Sequence, residues 1–443
     1  MRSIVMSLRR VVAAVALLLL GGALLNVAAQ SRPTRPSRAD ARATAMFEQG
    51  RRVFRMDTFG DEGFWSGTLQ LDKAIAGAKH GGVGPGLSPA AALAAGLKVD
   101  SAALPKAVVK AIKAGKVNLK DPATTLALLK LNAVVGVRGH FSRDGSRLTS
   151  VGLTCAVCHS VVDNSFAKGI GRRLDGWPNR DLNVGAIVSM APNLKPVADL
   201  LGTDVDTVKK VLASWGPGKF DAELFMDGKA FRPDGKSAAT LIPPAFGLSG
   251  VNLHTYTGWG TVTYWNAFVA NLEMHGQGNF SDARLDNADK FPVAARAGFG
   301  HVRNRVDKVT AKLPALHFYQ LALPAPKPPS NSYDHAAAAR GRSVFMGAGK
   351  CSSCHMPPTF SDPGWNMHKP SEICTDSFQA DRSPDGMYRT TPLRGLWTHT
   401  KGGFYHDGRF ATLGAVVDHY DSCMSLGLSS QQKSDLVQYL KSL

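Results

Sequence analysis

Two pentapeptides in this 443-residue chain carry the same chemistry: Cys155-Ala156-Val157-Cys158-His159 and Cys351-Ser352-Ser353-Cys354-His355. Thiols three positions apart on a helical turn can both add to the vinyl groups of a haem, and the next residue, His, then lies beneath the iron as its axial ligand. A redox dithiol or half of a zinc site would use the paired thiols but has no need of His at that place. The pattern therefore predicts two covalently bound haem c groups, one held by Cys155, Cys158 and His159, the other by Cys351, Cys354 and His355. Cys374 and Cys423 form an even remainder, which in an exported protein pairs most simply as a disulfide.

What stands on the other face of each iron decides the chemistry. Two firm ligands make an electron carrier, whereas an open position admits peroxide or oxygen. For the first haem, no His occurs between Ser160 and Leu253, which leaves Met190 and Met226 in the segment that wraps the iron, with His254 and His275 further on. Each has a plain alternative: core packing for Met, a hydrogen-bonded structural role for His. For the second haem, Met367, Met387, Tyr405, His406 and Met424 all follow His355, and spacing alone does not choose among them.

The elements that must position these groups can be read around them. Arg2, Arg9 and Arg10 precede an apolar run from Val11 to Leu25 and the small residues Val27 and Ala29, the pattern of an export signal ending at residue 29. The run is shorter than the roughly 20 apolar residues a bilayer core requires, so no membrane span is expected after cleavage. Losing those three Arg and no acid would lower the formal net charge from +18 to +15. Export and the scatter of Lys and Arg argue against nucleic acid as the partner. An acidic redox protein or an anionic envelope surface fits better.

An internal echo suggests two units. Gln49-Gly50-Arg51-Arg52-Val53-Phe54 is similar to Arg340-Gly341-Arg342-Ser343-Val344-Phe345, each after an Ala-rich helical stretch. The second motif runs almost directly into Cys351. The first is separated from Cys155 by an insertion at about 57–150, with helix signals at Ser88-Pro89 and from Pro105 to Ala114. The Pro-rich segment 323–332 reads as a semi-rigid linker. Ser429-Ser430-Gln431-Gln432 is a capping box for a terminal helix. The fold expected is mainly α, with two cytochrome c-like helical domains, 41–322 (carrying the mostly helical insertion) and 333–443, each around one haem.

The stretch Tyr388-Arg389-Thr390-Thr391-Pro392-Leu393-Arg394-Gly395-Leu396-Trp397, followed by Gly403-Phe404-Tyr405-His406-Asp407-Gly408-Arg409, resembles the C-terminal signature of the bacterial di-haem cytochrome c peroxidase/MauG family. The likeness is good from about 334 to 443 and thin elsewhere. It implies that Tyr405, just before His-Asp-Gly, is the sixth ligand of the C-terminal haem, a MauG-like choice that favours ferric iron. Asn271-Leu272-Glu273-Met274 is similar to the family's Asn-Pro-x-Glu-Met motif without its Pro, which implies that Glu273 is the distal acid over the N-terminal haem. Trp259 is the nearest match to a Trp that lies between the haems.

The resemblance further implies a calcium ion between the domains and a site ready without activation, since no His follows the first attachment motif closely. The function so implied is periplasmic reduction of hydrogen peroxide at the N-terminal haem. Electrons would come through the C-terminal haem from a small donor protein, a cytochrome or cupredoxin. The alternatives are MauG-like oxidation of a protein or organic substrate, and a pure electron carrier whose first iron is closed by Met190 or a His.

Overall fold

The two glycines of the sequence echo turn out to be the crossing points of two helix pairs. In the computed structural model, which describes residues 37–362 and 364–443, helix α1 (Arg38–Met56) crosses a helix that spans Leu313–Ala322 at Gly50. A Cβ there would lie 1.9 Å from the Ala315 carbonyl oxygen, so only a bare Cα allows the approach. Helix His335–Met346 crosses the terminal helix Ser430–Lys441 at Gly341, where a Cβ would come within 2.0 Å of the Asp435 carbonyl oxygen. A bidentate pair from Arg340 to Asp435, 2.7 and 2.8 Å, clamps that second crossing. The capping box of the terminal helix is formed in both directions between Ser429 and Gln432.

Clustering divides the chain into Met1–Met46 and Phe47–Leu443. The first contributes to the described residues only the start of α1, and the export signal expected at 1–29 lies outside them. Phe47–Leu443 is largely helical with small sheets, consistent with a cytochrome c-like fold; the described strands form five two-stranded sheets. No helix among the described residues is long and apolar enough to cross a membrane.

Between α1 and Cys155 come short helices at Leu71–Ala76, Pro89–Ala94, Lys106–Lys113 and Pro122–Lys130, then an antiparallel hairpin, Val137–Phe141 with Leu148–Leu153. Ser88 caps Pro89–Ala94 by accepting from the Ala91 amide, as its sequence suggests, and Gly115 follows the next helix with φ +64°. This segment shares an apolar core with the helices Val184–Ser189 and Val205–Trp215. It therefore builds one wall around the first attachment motif. Cys374 and Cys423 are joined by a disulfide, which ties the helix Leu413–Cys423 to the loop before it.

Candidate functional site: two cysteine–histidine centres

The first motif occupies a single helical turn, with the His159 amide donating to the Cys155 carbonyl at 3.2 Å; in the second, His355 donates to Cys351 at 2.9 Å. Both turns thus bring two thiols and one imidazole to the same side. Neither pair is oxidised to a disulfide. Burial raises the thiols, Cys155 and Cys158 to about 12 and Cys351 to about 11. A reactive dithiol or thiolate metal site would be served by the opposite shift.

The imidazoles are set alike. His159 Nδ1 donates to the Pro243 carbonyl and His355 Nδ1 to the Phe360 carbonyl, each at 3.1 Å. That bond fixes the tautomer and leaves Nε2 as the ring atom available to a metal, the usual arrangement behind a metal-bound His. Burial holds His159 down at about 4, and His355 is lowered for the same reason, so both rings are neutral and able to ligate.

Cys155, Cys158 and His159 line a mostly apolar cavity of about 310 Å³, within the range of cofactor sites. Arg389 Nη1, on its wall, is buried and unbonded; so is Arg180 Nη1, which lies outside the lining. Burial lowers Arg389 to about 10. Arg389 lines the cavity, where a guanidinium lacking a counter-ion suits the carboxylates of a porphyrin. The residues present fit a haem.

Glu273 is brought in by a local break in helical winding. After Val262–Phe268 the chain continues as a π-helical turn, Val269–Glu273, the kind of insertion that re-aims a side chain. Glu273 lines the cavity with neither carboxyl oxygen hydrogen-bonded. Burial, then the charges of Glu223 and Asp221, raise it well above the ordinary carboxylate range, which favours its protonated form.

The other first-haem candidates separate. Met190 lines the cavity at the end of helix Val184–Ser189. Met226 is packed in an aromatic cluster. His254 lines the cavity but donates Nε2–H to the Val251 carbonyl at 3.0 Å, and burial lowers it to about 3. His275 stacks on Phe64 at 3.5 Å between centroids, in a neighbouring apolar pocket. Trp259 stacks on Trp265 at 5.4 Å; Trp265 lines the cavity, and Trp259 stands behind it.

A backbone motif recurs at the two centres. Bridges close His254 to Gly260 and Phe404 to Phe410. The residue after each opening bridge is left-handed, Thr255 at φ +64° and Tyr405 at +69°. A positive-φ glycine follows at Gly258 and Gly408, and Thr261 or Thr412 caps the next helix. Thr255 therefore holds in the first centre the place Tyr405 holds in the second. Thr255 Oγ1 is buried and unpartnered. Tyr256, the counterpart of His406, lines the cavity, and its ring lies 6.2 Å from that of His406.

At the second centre the buried Tyr405 hydroxyl lacks an aligned hydrogen bond, and Tyr420 is beside it at 6.0 Å between rings. Burial raises Tyr405 far above its ordinary value. A phenol whose buried hydroxyl has only Tyr420 near it fits a ligand to iron. His406 stacks on Tyr388 at 5.2 Å, Met367 packs against Gly258, and Met424 is exposed. Two groups of His, Cys and carboxylates among the described residues are compact enough for a cation. Arg232 and Arg409 already occupy the carboxylates of Asp376 and Asp407 in one, and the other includes Cys354 of the attachment motif. Neither is a natural calcium site.

The chain is a homologue of the protein MauG. Among its relatives, methylamine utilization protein MauG of Methylorubrum extorquens AM1 is 26% identical over 273 residues, covering 50% of this chain and 76% of that protein. No family model matches the chain. Among solved structures, Kuenenia stuttgartiensis hydrazine synthase aligns with TM-score 0.27 and 17% identity, over 50% of this chain and 86% of that one. A MauG-like protein associated with microbial copper homeostasis aligns with TM-score 0.29 and 16% identity, over 49% and 76%. Those scores are too low to carry a structural argument.

Sequence reasoning missed Glu223, Thr255, Tyr256, Arg180 and Arg389. The spacing Tyr256-Thr257-Gly258 against His406-Asp407-Gly408 was the available signal for two of them.

Proposed function

We propose that the protein is an exported di-haem c-type cytochrome that reduces hydrogen peroxide at the N-terminal centre, each haem seated in a cytochrome c-like half of the chain. The observation that carries this reading is the cavity at Cys155, Cys158 and His159. It presents a buried, unpartnered acid, Glu273, and has a threonine where the other centre has Tyr405. A haem bound there supplies the iron at which the O–O bond is reduced.

The chain's own residues supply the rest. His159, oriented by the Pro243 carbonyl, would hold the iron through Nε2. Arg389 would pair with the porphyrin carboxylates. Apolar walls, Val157, Leu182, Val188 and Ile242 among them, exclude water. Glu273 gives its proton to the leaving oxygen of peroxide. The balance is one peroxide, two electrons and two protons to two waters; the electrons would come from a small donor protein by way of a haem at the C-terminal centre, which His355 and Tyr405 would hold. A periplasmic location belongs to this reading, supported by the export-signal pattern of residues 1–29 and by the compartment in which haem c is attached.

The test is Glu273→Gln, which keeps shape and removes the acid. Peroxide reduction by the holoprotein should fall by about 10²–10⁴-fold with haem content unchanged, the usual weight of a general acid. Activity within a few-fold of the parent would overturn the reading.

Tyr405 and the 26% identity to MauG favour a second reading, oxidation of a protein or organic substrate by the same centre. Peroxide consumption that requires a co-purified substrate rather than a reduced donor protein would select it. Met190 in the cavity supports a third, a plain electron carrier. Its mark is a first haem that binds neither cyanide nor carbon monoxide.

A further inference from the structure

Glu273 is not the only acid on the cavity wall. Glu223 also lines it, is itself 6% exposed, and has one carboxyl oxygen, Oε2, buried without a partner. It belongs to the run Asp221-Ala222-Glu223-Leu224-Phe225-Met226-Asp227, in which Asp221 precedes, Glu223 begins and Asp227 ends the single helical turn Leu224–Asp227. Arg382, from the C-terminal half, inserts between the flanking two. Its Nε and Nη2 donate to Asp227 at 2.8 and 3.0 Å, and Nη2 lies 3.0 Å from Asp221 without the alignment of a hydrogen bond. All three side chains are 0% exposed. Gln379, on the short helix Phe378–Asp381 that Arg382 ends, also lines the cavity.

We propose that Glu223 and Glu273 form a coupled acid pair on the cavity wall, fixed by Arg382 through Asp221 and Asp227, that passes protons to a ligand at the first centre. The proposal rests on the reading of Glu273 as the distal acid. One guanidinium faces four carboxyl groups here, so they cannot all ionise in so dry a place, and the pair keeps a proton. Glu273 gives its proton to the basic atom of the entering ligand. No hydrogen bond joins the two carboxyls, so the proton of Glu223 reaches the Glu273 carboxylate through water that enters with the ligand, and solvent restores Glu223. The charged and polar groups facing the pair are Asp221, Asp227, Arg382, Gln379 and the Cys158 sulfur. Glu223 is in this sense a positioning and relay residue that acts through Glu273.

Cyanide binding to the ferric holoprotein tests it, because hydrogen cyanide must lose its proton to a base beside the iron. In the parent the association rate should rise with pH as Glu273 ionises. In Glu223→Gln, which removes a negative neighbour without changing shape, the midpoint of that rise should move to lower pH, and Glu223→Asp should restore it. In Glu273→Gln the rise should disappear. A Glu223→Gln profile that superimposes on the parent, with the rise still lost in Glu273→Gln, overturns the pair and leaves the distal acid standing. A rise that survives in Glu273→Gln overturns both. Arg382→Lys, which retains the charge, should leave the midpoint closer to the parent than Arg382→Gln does; equal midpoints in those two would count against the proposed anchor.

Discussion

Arg382→Met exchanges a fully buried guanidinium for an apolar side chain of similar length and leaves Asp221 and Asp227 buried without their cation. Removing one partner of a buried ion cluster costs about 3–5 kcal/mol, because the remaining charge has neither water nor a counter-ion. The loss depends on pH. Even with Arg382 present, burial outweighs the guanidinium's attraction and holds Asp221 at about 7. A carboxyl raised above its unfolded value near 4 stabilises the fold fully at low pH and loses that contribution as pH rises through its folded value. Without Arg382 the folded value moves higher still, so the loss continues above pH 7. Urea unfolding of the holoprotein should show the variant weaker by about 3–5 kcal/mol at pH 8. That is a midpoint lower by on the order of 1 M, and the deficit should be smaller at pH 5, where Asp221 is protonated in both proteins. A deficit equal at the two pH values, or under about 1 kcal/mol at pH 8, would refute the reasoning.

Further outcomes follow from the other contacts. Replacing both Cys155 and Cys158 with Ser should lower the haem count by one per chain while leaving the C-terminal haem attached, read by mass and by alkaline pyridine spectra. Tyr405→Phe should change the ferric spectrum of the second haem, and an unchanged spectrum would exclude Tyr405 as its ligand. Gly341→Val would drive a side chain against the Asp435 carbonyl, 2.0 Å from the ideal Cβ position, and should cost at least about 1–3 kcal/mol in urea unfolding with little effect on the first haem's spectrum.

Local chemistry was legible in the sequence wherever it depends on neighbours along the chain. The capping box at Ser429 and the cap at Ser88 need only a few adjacent residues, and each forms as its spacing suggests; the two Cys-x-x-Cys-His segments each close a single turn. The repeated Gly50 and Gly341 marked the helix crossings because close approach leaves room for nothing larger. The pairing of Cys374 with Cys423 followed from counting alone.

What was hidden depends on contacts between distant segments. Arg382 reaches Asp221 and Asp227 across more than 150 positions, and no periodicity announces such a meeting. Thr255 and Tyr405 share a backbone turn but not a residue type, since each is a non-glycine held at positive φ by the bridge around it. Trp259 is the nearest match in the sequence to the family's Trp between the haems. The fold puts Trp265 and Tyr256 on the cavity wall instead, because the turn before Thr261 directs Trp259 into the aromatic cluster with Phe268 and Phe291.

The account requires that one of two attached haems keep an open face. Titrating the ferric holoprotein with cyanide while following its spectrum measures this directly. The account predicts that one haem of the two per chain binds cyanide, that its binding is lost when Cys155 and Cys158 are replaced, and that the other haem stays unchanged. A parent protein in which neither haem takes cyanide would contradict it.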